Sequence, residues 1–259
     1  MAVNFNKKPR VAVLGCSHTD SHIPWDISLP HPPSRRTWAV QLSEQFPDIQ
    51  IDCYARAGHG HDYQELCLKH IITQQCYDAV IIQLTTEHRG TVPLRTLDDE
   101  AHFVSVRWPG QCFLQYNLMS PKIVYSIGYM RAENTYTEDE WNTPIKDLWE
   151  NHIIGNNYNS FVTKTYCDML PHYAQLQPNL MWFQWTPFSW QQDDQKGAVQ
   201  NIHDQHCSAH DWAENELNYI DSDRYTLKND DHLNDEGNAR LLNDYILSSK
   251  IGAVLNQLK

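Results

Sequence analysis

The sequence has no apolar run of the roughly 18 residues that a membrane-spanning helix needs. The basic residues of its opening, MAVNFNKKPRVAVLG, are followed by neither a long apolar stretch nor a small-residue cleavage site. An unexported chain with no membrane segment is expected. Positive charge is also scarce, with 20 Lys and Arg against 32 Asp and Glu and a formal charge of −12. A protein that tracks a nucleic-acid backbone needs the reverse balance, because it must displace counterions from phosphates. Nucleic acid and anionic membrane surfaces are therefore not expected partners. The seven cysteines form no C-x-x-C pair. Cys53, Cys67 and Cys167 fall inside predicted strands or helices, which suits reduced thiols in a cytosol-like compartment rather than a disulfide framework. Internal repeats and low-complexity tracts are missing as well.

What the sequence does contain is an ordinary core, 41% hydrophobic over 259 residues, enough for one large α/β domain. Short apolar runs at Val11 to Leu14, Ala79 to Leu84 and Leu180 to Trp185 are nearly continuous, the pattern of strands covered on both faces. Ile49 to Tyr54 alternates and belongs nearer an edge. Between these runs lie amphipathic segments. In SRRTWAVQLSEQF, Ser34 is placed to cap a helix whose face carries Trp38, Leu42 and Phe46. In DYQELCLKHIITQQ, Asp62 and Glu65 have the spacing of a capping box. A further helix from Phe161 to Leu170 should break or kink at Pro171, a weak strand is expected near LNYID, and a closing helix should begin near Asp235, with Ala239, Leu242, Tyr245 and Ile246 facing the sheet. The alternation of strand and helix predicts a parallel sheet. Residues 89 to 158 depart from it and read as an elaboration after the third strand, within a single domain spanning 1–259.

In open α/β sheets the ligand site lies beyond the carboxyl ends of the strands. Gly15-Cys16-Ser17-His18-Thr19 follows the first strand, Ala57-Gly58-His59-Gly60-His61-Asp62 the second, and Thr85-Thr86-Glu87-His88-Arg89 the third, while KNDDHLNDEGNARL precedes the last helix. These four pieces resemble the SGNH (GDSL-like) hydrolase superfamily, in the branch that opens with Gly-Cys-Ser. The resemblance covers the chain ends and the strand termini and leaves the middle aside. It implies a three-layer α/β/α sandwich around a central parallel sheet of about five strands, with an insertion after the third.

The resemblance also assigns roles. Ser17 would be the nucleophile, exposed by a turn that Gly15 permits, and His232 the general base, since imidazole titrates near neutral pH. The oxyanion would be met by the backbone N–H groups of Ser17 and Gly58. The family's aspartate three residues before the histidine is Asn229 here, so either Asn229 orients His232 or Asp230 takes the role, with Asp230 favoured. The family's asparagine after the third strand has no counterpart in QLTTEHR. Thr86 can donate in its place, and His18, His59, Glu87, His88 and Trp185 are expected around the substrate pocket. Trp185, Phe188 and Trp190 are candidates to stack on a sugar or acyl group. No metal or other cofactor is implied. His203, His206, Cys207 and His210 in HDQHCSAH have Zn²⁺-like spacing but no second cluster, and read better as a polar helix or loop.

The expected activity is hydrolysis of a carboxylic ester, small or glycan-borne, with O-acetylated carbohydrate foremost. Two alternatives stand beside it. One is a catalytically silent SGNH-like module for binding or assembly, such as a virus-particle component, because proteins resembling this branch are common in phage genomes. The other is O-acyl transfer to a sugar. Cytoplasm or virion would be the location, and self-association or assembly into a particle the expected protein contacts.

Overall fold

A computed structural model describes residues 8–20, 36–55, 59–87, 89–95, 111–117, 122–127, 130–135, 155–188, 191, 198–203, 208–219, 224–227 and 232–259. For 89–95, 111–117, 122–127, 130–135 and 155–159 the description is of backbone alone. The fold is mixed α/β. Four parallel strands, β1 (Arg10–Leu14), β2 (Gln50–Cys53), β3 (Ala79–Leu84) and β8 (Leu180–Gln184), form a sheet in the order β2-β1-β3-β8. A second sheet pairs β4 (Arg89–Arg95), β5 (Gln111–Asn117), β6 (Lys122–Ile127) and β7 (Met130–Thr135) as an antiparallel meander. Six α-helices are present among the described residues: α1 (Trp38–Gln45), α2 (His61–Gln74), α3 (Gly155–Leu176), α4 (Ala209–Leu217), α5 (Asp235–Arg240) and α6 (Lys250–Gln257). A π-helical turn, Leu241–Ile246, continues α5. No helix among the described residues is long and apolar enough to cross a membrane.

The chain divides into two compact units: Met1–Ala57 with Cys67–Thr85 and Leu170–Lys259, and Gly58–Leu66 with Thr86–Met169. The parallel sheet belongs to the first and the meander to the second.

In the first unit the continuous apolar runs behave as their pattern requires: every residue of β3 and β8 is buried, as are Val11 to Leu14 of β1. Alternate residues face opposite ways along a strand. Val11, Val13, Ile81, Met181 and Phe183 join one core with Trp38, Leu42, Leu242, Tyr245, Ile246, Ile251 and Leu255. β2, the alternating run, is an edge strand with partly exposed residues. The outer edge of β8 is closed by Asn201, whose side chain accepts from Trp182 N–H (2.8 Å) and donates to the Leu180 carbonyl (3.0 Å). A strand edge covered in this way does not recruit another strand.

Several expected boundaries shift. Ser34 lies outside the described residues, and the N-cap of α1 is Thr37. α2 begins at His61, so Asp62 sits in its first turn, where a carboxylate suits the helix dipole, instead of capping it. α3 runs through Pro171 to Leu176. Proline leaves one carbonyl of the preceding turn without its donor, but the buried stripe of Thr163, Tyr166, Leu170 and Tyr173 continues past it and outweighs that loss. Where a strand was expected near LNYID, α4 ends at Leu217; its start is set by a capping box in which Ser208 accepts from Asp211 N–H (3.1 Å), and Asn218 closes it in the left-handed region at φ 47°. Ile220 and Asp221 lie outside the described residues. The closing helix is interrupted, with a new start at the Ser249 N-cap. Cys16, Cys53, Cys67, Cys76 and Cys167 are free thiols. Burial, helped by Asp168, pushes the Cys167 thiol up to about 12, so it stays protonated.

Candidate active site

The strand order makes β1 a switch point. The chain leaves it through α1 toward β2 on one side, and returns through α2 to β3 on the other. In sheets of this kind the crevice beyond the carboxyl end of such a strand is the ligand site, and Ser17 lies in the turn that follows β1.

That turn is closed by the N–H groups of Thr19 and Asp20, both donating to the Cys16 carbonyl (3.0 and 2.9 Å). Thr19 then locks it to β3 and to the start of α1. Its hydroxyl donates to Gln83 Oε1 at the end of β3 and accepts from Trp38 Nε1 of α1 (3.2 Å), and its carbonyl accepts from the Thr37 hydroxyl (2.9 Å). Gly15 makes this possible for a reason other than the expected bend. A Cβ there would fall within 2.6 Å of Thr19 Cβ and closer still to its hydroxyl. The glycine provides room.

His232 is placed from the other end of the chain. Thr226 and Leu233 form an antiparallel bridge; Leu227 N–H donates to the His232 carbonyl (2.9 Å), and Asn234 N–H to the Tyr225 carbonyl (2.8 Å). Asn234 caps α5, accepting from Gly237 N–H (2.9 Å) while its amide group donates to the Arg224 carbonyl (2.6 Å). Gly237 is needed because a Cβ would strike the Tyr225 carbonyl and come within 2.9 Å of Leu233.

Ser17 and His232 line one small pocket, together with His18, Thr37, Leu233 and Asn238. Both are buried, at 2% and 5% exposure. Asn238 ties the two halves: its Oδ1 accepts from Trp38 N–H (3.0 Å), satisfying an open donor at the start of α1, and its Nδ2 donates to the carbonyls of Leu233 (2.8 Å) and Asn234 (2.9 Å). Thr37, Thr19, Gln83 and Asn238 were not singled out by sequence reasoning. The available signal for Asn238 was its position four residues after the helix-capping Asn234, on the same helix face as the core.

Trp185 stacks on His18 and is itself only 4% exposed, with His210 and Tyr219 edge-on to it. Phe188 is fully buried. These two rings are walls of the core and not open stacking platforms for a sugar, because a platform must offer a bare face. Trp190 lies outside the described residues.

The remaining expected residues fall in the second unit or outside the description. Gly58, His88, Asn229 and Asp230 lie outside the described residues. In the second unit, His59 is buried and stacked on Tyr63 (centroids 4.1 Å apart), Thr86 is half-buried, and Glu87 is buried and accepts from the Ser160 hydroxyl (3.5 Å). His61 is hydrogen-bonded with the Thr163 hydroxyl (2.9 Å), and its burial drives it down to about 3, which keeps it neutral.

Of the HDQHCSAH residues, His203 donates from Nε2 to the Tyr245 carbonyl (2.8 Å) and His210 packs on Tyr219, while His206 and Cys207 lie outside the described residues. Among the described residues no group of three His, Cys, Asp or Glu side chains could hold a metal ion. Comparison of the chain with models of known protein families finds no match, and comparison with curated proteins finds none.

Proposed function

We propose that the chain is a serine esterase of SGNH type, acting on carboxylic esters with O-acetylated carbohydrate as the first class to test. The three-layer sandwich of that superfamily, with the meander inserted after its third strand, belongs to the same proposal. The observation that carries it is that Ser17 and His232, from opposite ends of the chain, line one pocket at the switch point of a parallel sheet.

The chemistry follows from those groups. Ser17 Oγ attacks the ester carbonyl carbon as its proton passes to His232, and the carbonyl π electrons move to oxygen. Collapse of the tetrahedral intermediate breaks the bond to the alcohol oxygen, which takes the proton from His232 and leaves. Water then attacks the acyl-enzyme with His232 again accepting the proton, and release of the acid regenerates Ser17. The Ser17 N–H is the proposed donor to the oxyanion. Asp230 is proposed to orient His232.

The test offers p-nitrophenyl acetate and an acetylated sugar to the wild type and to Ser17→Ala. The wild type should release product, and S17A should lose at least about 1,000-fold of that rate. Equal rates, or none from either protein, overturn the esterase reading. Glu87 favours a second reading, a silent binding module: it is a buried acceptor of the Ser160 hydroxyl, and its side chain has no amide N–H to give an oxyanion as the family's asparagine does.

A further inference from the structure

His18 lines the pocket, yet both faces of its ring are already occupied. One lies against Trp185, with centroids 3.9 Å apart and the planes at 26°. The other lies against His232, with centroids 4.3 Å apart and again at 26°. Two flat rings so close to a third cannot share one of its faces without overlapping each other, so the order is Trp185, His18, His232. The far end of this stack is rigid. Trp185 N–H donates to the Leu84 carbonyl (3.2 Å), its own carbonyl accepts from His210 N–H (2.9 Å), and its ring meets His210 and Tyr219 edge-on. Gln184, next in the chain, braces the same segment by donating to Gln191 Oε1 (2.6 Å) and accepting from Val199 N–H (2.8 Å).

A ring with both faces covered offers a substrate only its edge. It offers His232 a whole face. We propose that His18 is a positioning residue for His232: clamped on Trp185, it fixes the plane of the His232 imidazole and supports the positive charge that imidazole acquires on taking the Ser17 proton. The first effect matters because a general base works only within hydrogen-bond reach and in line with the proton it accepts. The second follows because a cation over the face of a neutral aromatic ring is attracted by its π electrons, and His232 is a cation only after proton transfer. Stabilisation confined to the later state raises turnover without tightening substrate binding.

The inference rests on the esterase reading above and deepens it. Its test measures kcat and KM on p-nitrophenyl acetate for the wild type, S17A, His18→Ala and His18→Phe, with thermal unfolding of each as a folding control. Phenylalanine keeps the flat face and removes both ring nitrogens. H18A should lose about 10- to 100-fold in kcat with KM within about twofold, and H18F should recover to within about threefold of the wild type. A raised KM with unchanged kcat in H18A would mean that His18 binds substrate, and overturns the proposal. Equal losses in H18A and H18F overturn it too, because the nitrogens would then be what matters. Should H18A fail to fold, H18F alone decides: a kcat near wild type supports the stack, and a collapsed one rejects it. In all these cases S17A remains inactive and the esterase reading stands. If S17A matches the wild type, the esterase reading itself falls, and this inference with it.

Discussion

At Gly15 the fold requires the absence of a side chain, and the requirement is set by Thr19. Thr19 holds the nucleophile turn against Gln83, Trp38 and Thr37 at once, and a methyl group at position 15 would push it off those partners. Gly15→Ala should therefore destabilise the protein by about 1–3 kcal/mol, the cost of overpacking a filled site. It would be read as a lower urea midpoint at unchanged slope. A G15A midpoint within error of the wild type would show that the turn relaxes freely. The motif itself was legible, since GCS at the end of an apolar run marks a strand-terminal turn. Its supports were not. Thr37 has the sequence of an N-cap but spends its hydroxyl on Thr19, and another open donor of the first turn, Trp38 N–H, is met by Asn238 from the far end of the chain. No local pattern encodes a partnership of that range.

Among the elements, β2 shows how a polar edge is held. Asp52, on this strand, accepts from Arg10 Nη2 (2.6 Å), the Tyr77 hydroxyl (3.0 Å) and Gln50 Nε2 (3.3 Å), and the Tyr77 hydroxyl is 2.7 Å from that of Tyr54. Burial works to raise the Asp52 carboxyl, but the bonds from Arg10, Gln50 and Tyr77 outweigh it and hold it below the usual carboxylate range. A carboxyl lowered by folding stabilises fully above its unfolded value, near 4, and that contribution is lost as pH falls through its lower folded value. Asp52→Asn should thus cost about 2 kcal/mol at pH 7, and the gap to wild type should narrow below about pH 4. Urea unfolding of both proteins at pH 7 and pH 3 checks this, and a gap that does not change with pH would remove Asp52 ionisation from the account. β1, β3 and β8 were the most readable elements, because burial on both faces leaves an uninterrupted apolar run, whereas the four strands of the meander went unread within 89–158. Helix ends were less so. Pro171 looked like a stop, although the buried stripe of α3 runs on through Tyr173. At LNYID the weak strand signal meets a helix end instead: α4, begun upstream by Ser208 and Asp211, runs to Leu217 and is closed by Asn218.

Across the whole molecule, the first unit is assembled from three stretches of chain, and the proposed nucleophile and base come from the first and the last of them. That arrangement is why Ser17 could be joined to His232 in the sequence only through a family resemblance: the two motifs are separated by nearly the whole chain, and contacts such as Asn238 with Trp38 and Leu233 hold them at one pocket. The strong negative charge, −12, fits an uncharged ester better than a polyanion as substrate. The most direct measurement of the central claim is covalent labelling with a fluorophosphonate, which phosphonylates a serine only when a neighbouring base activates it. Intact mass and peptide mapping should show a single adduct, on Ser17, in the wild type, none in S17A, and slow labelling in His232→Ala. An unlabelled wild type, or an adduct carried on another residue and retained in S17A, would contradict the account.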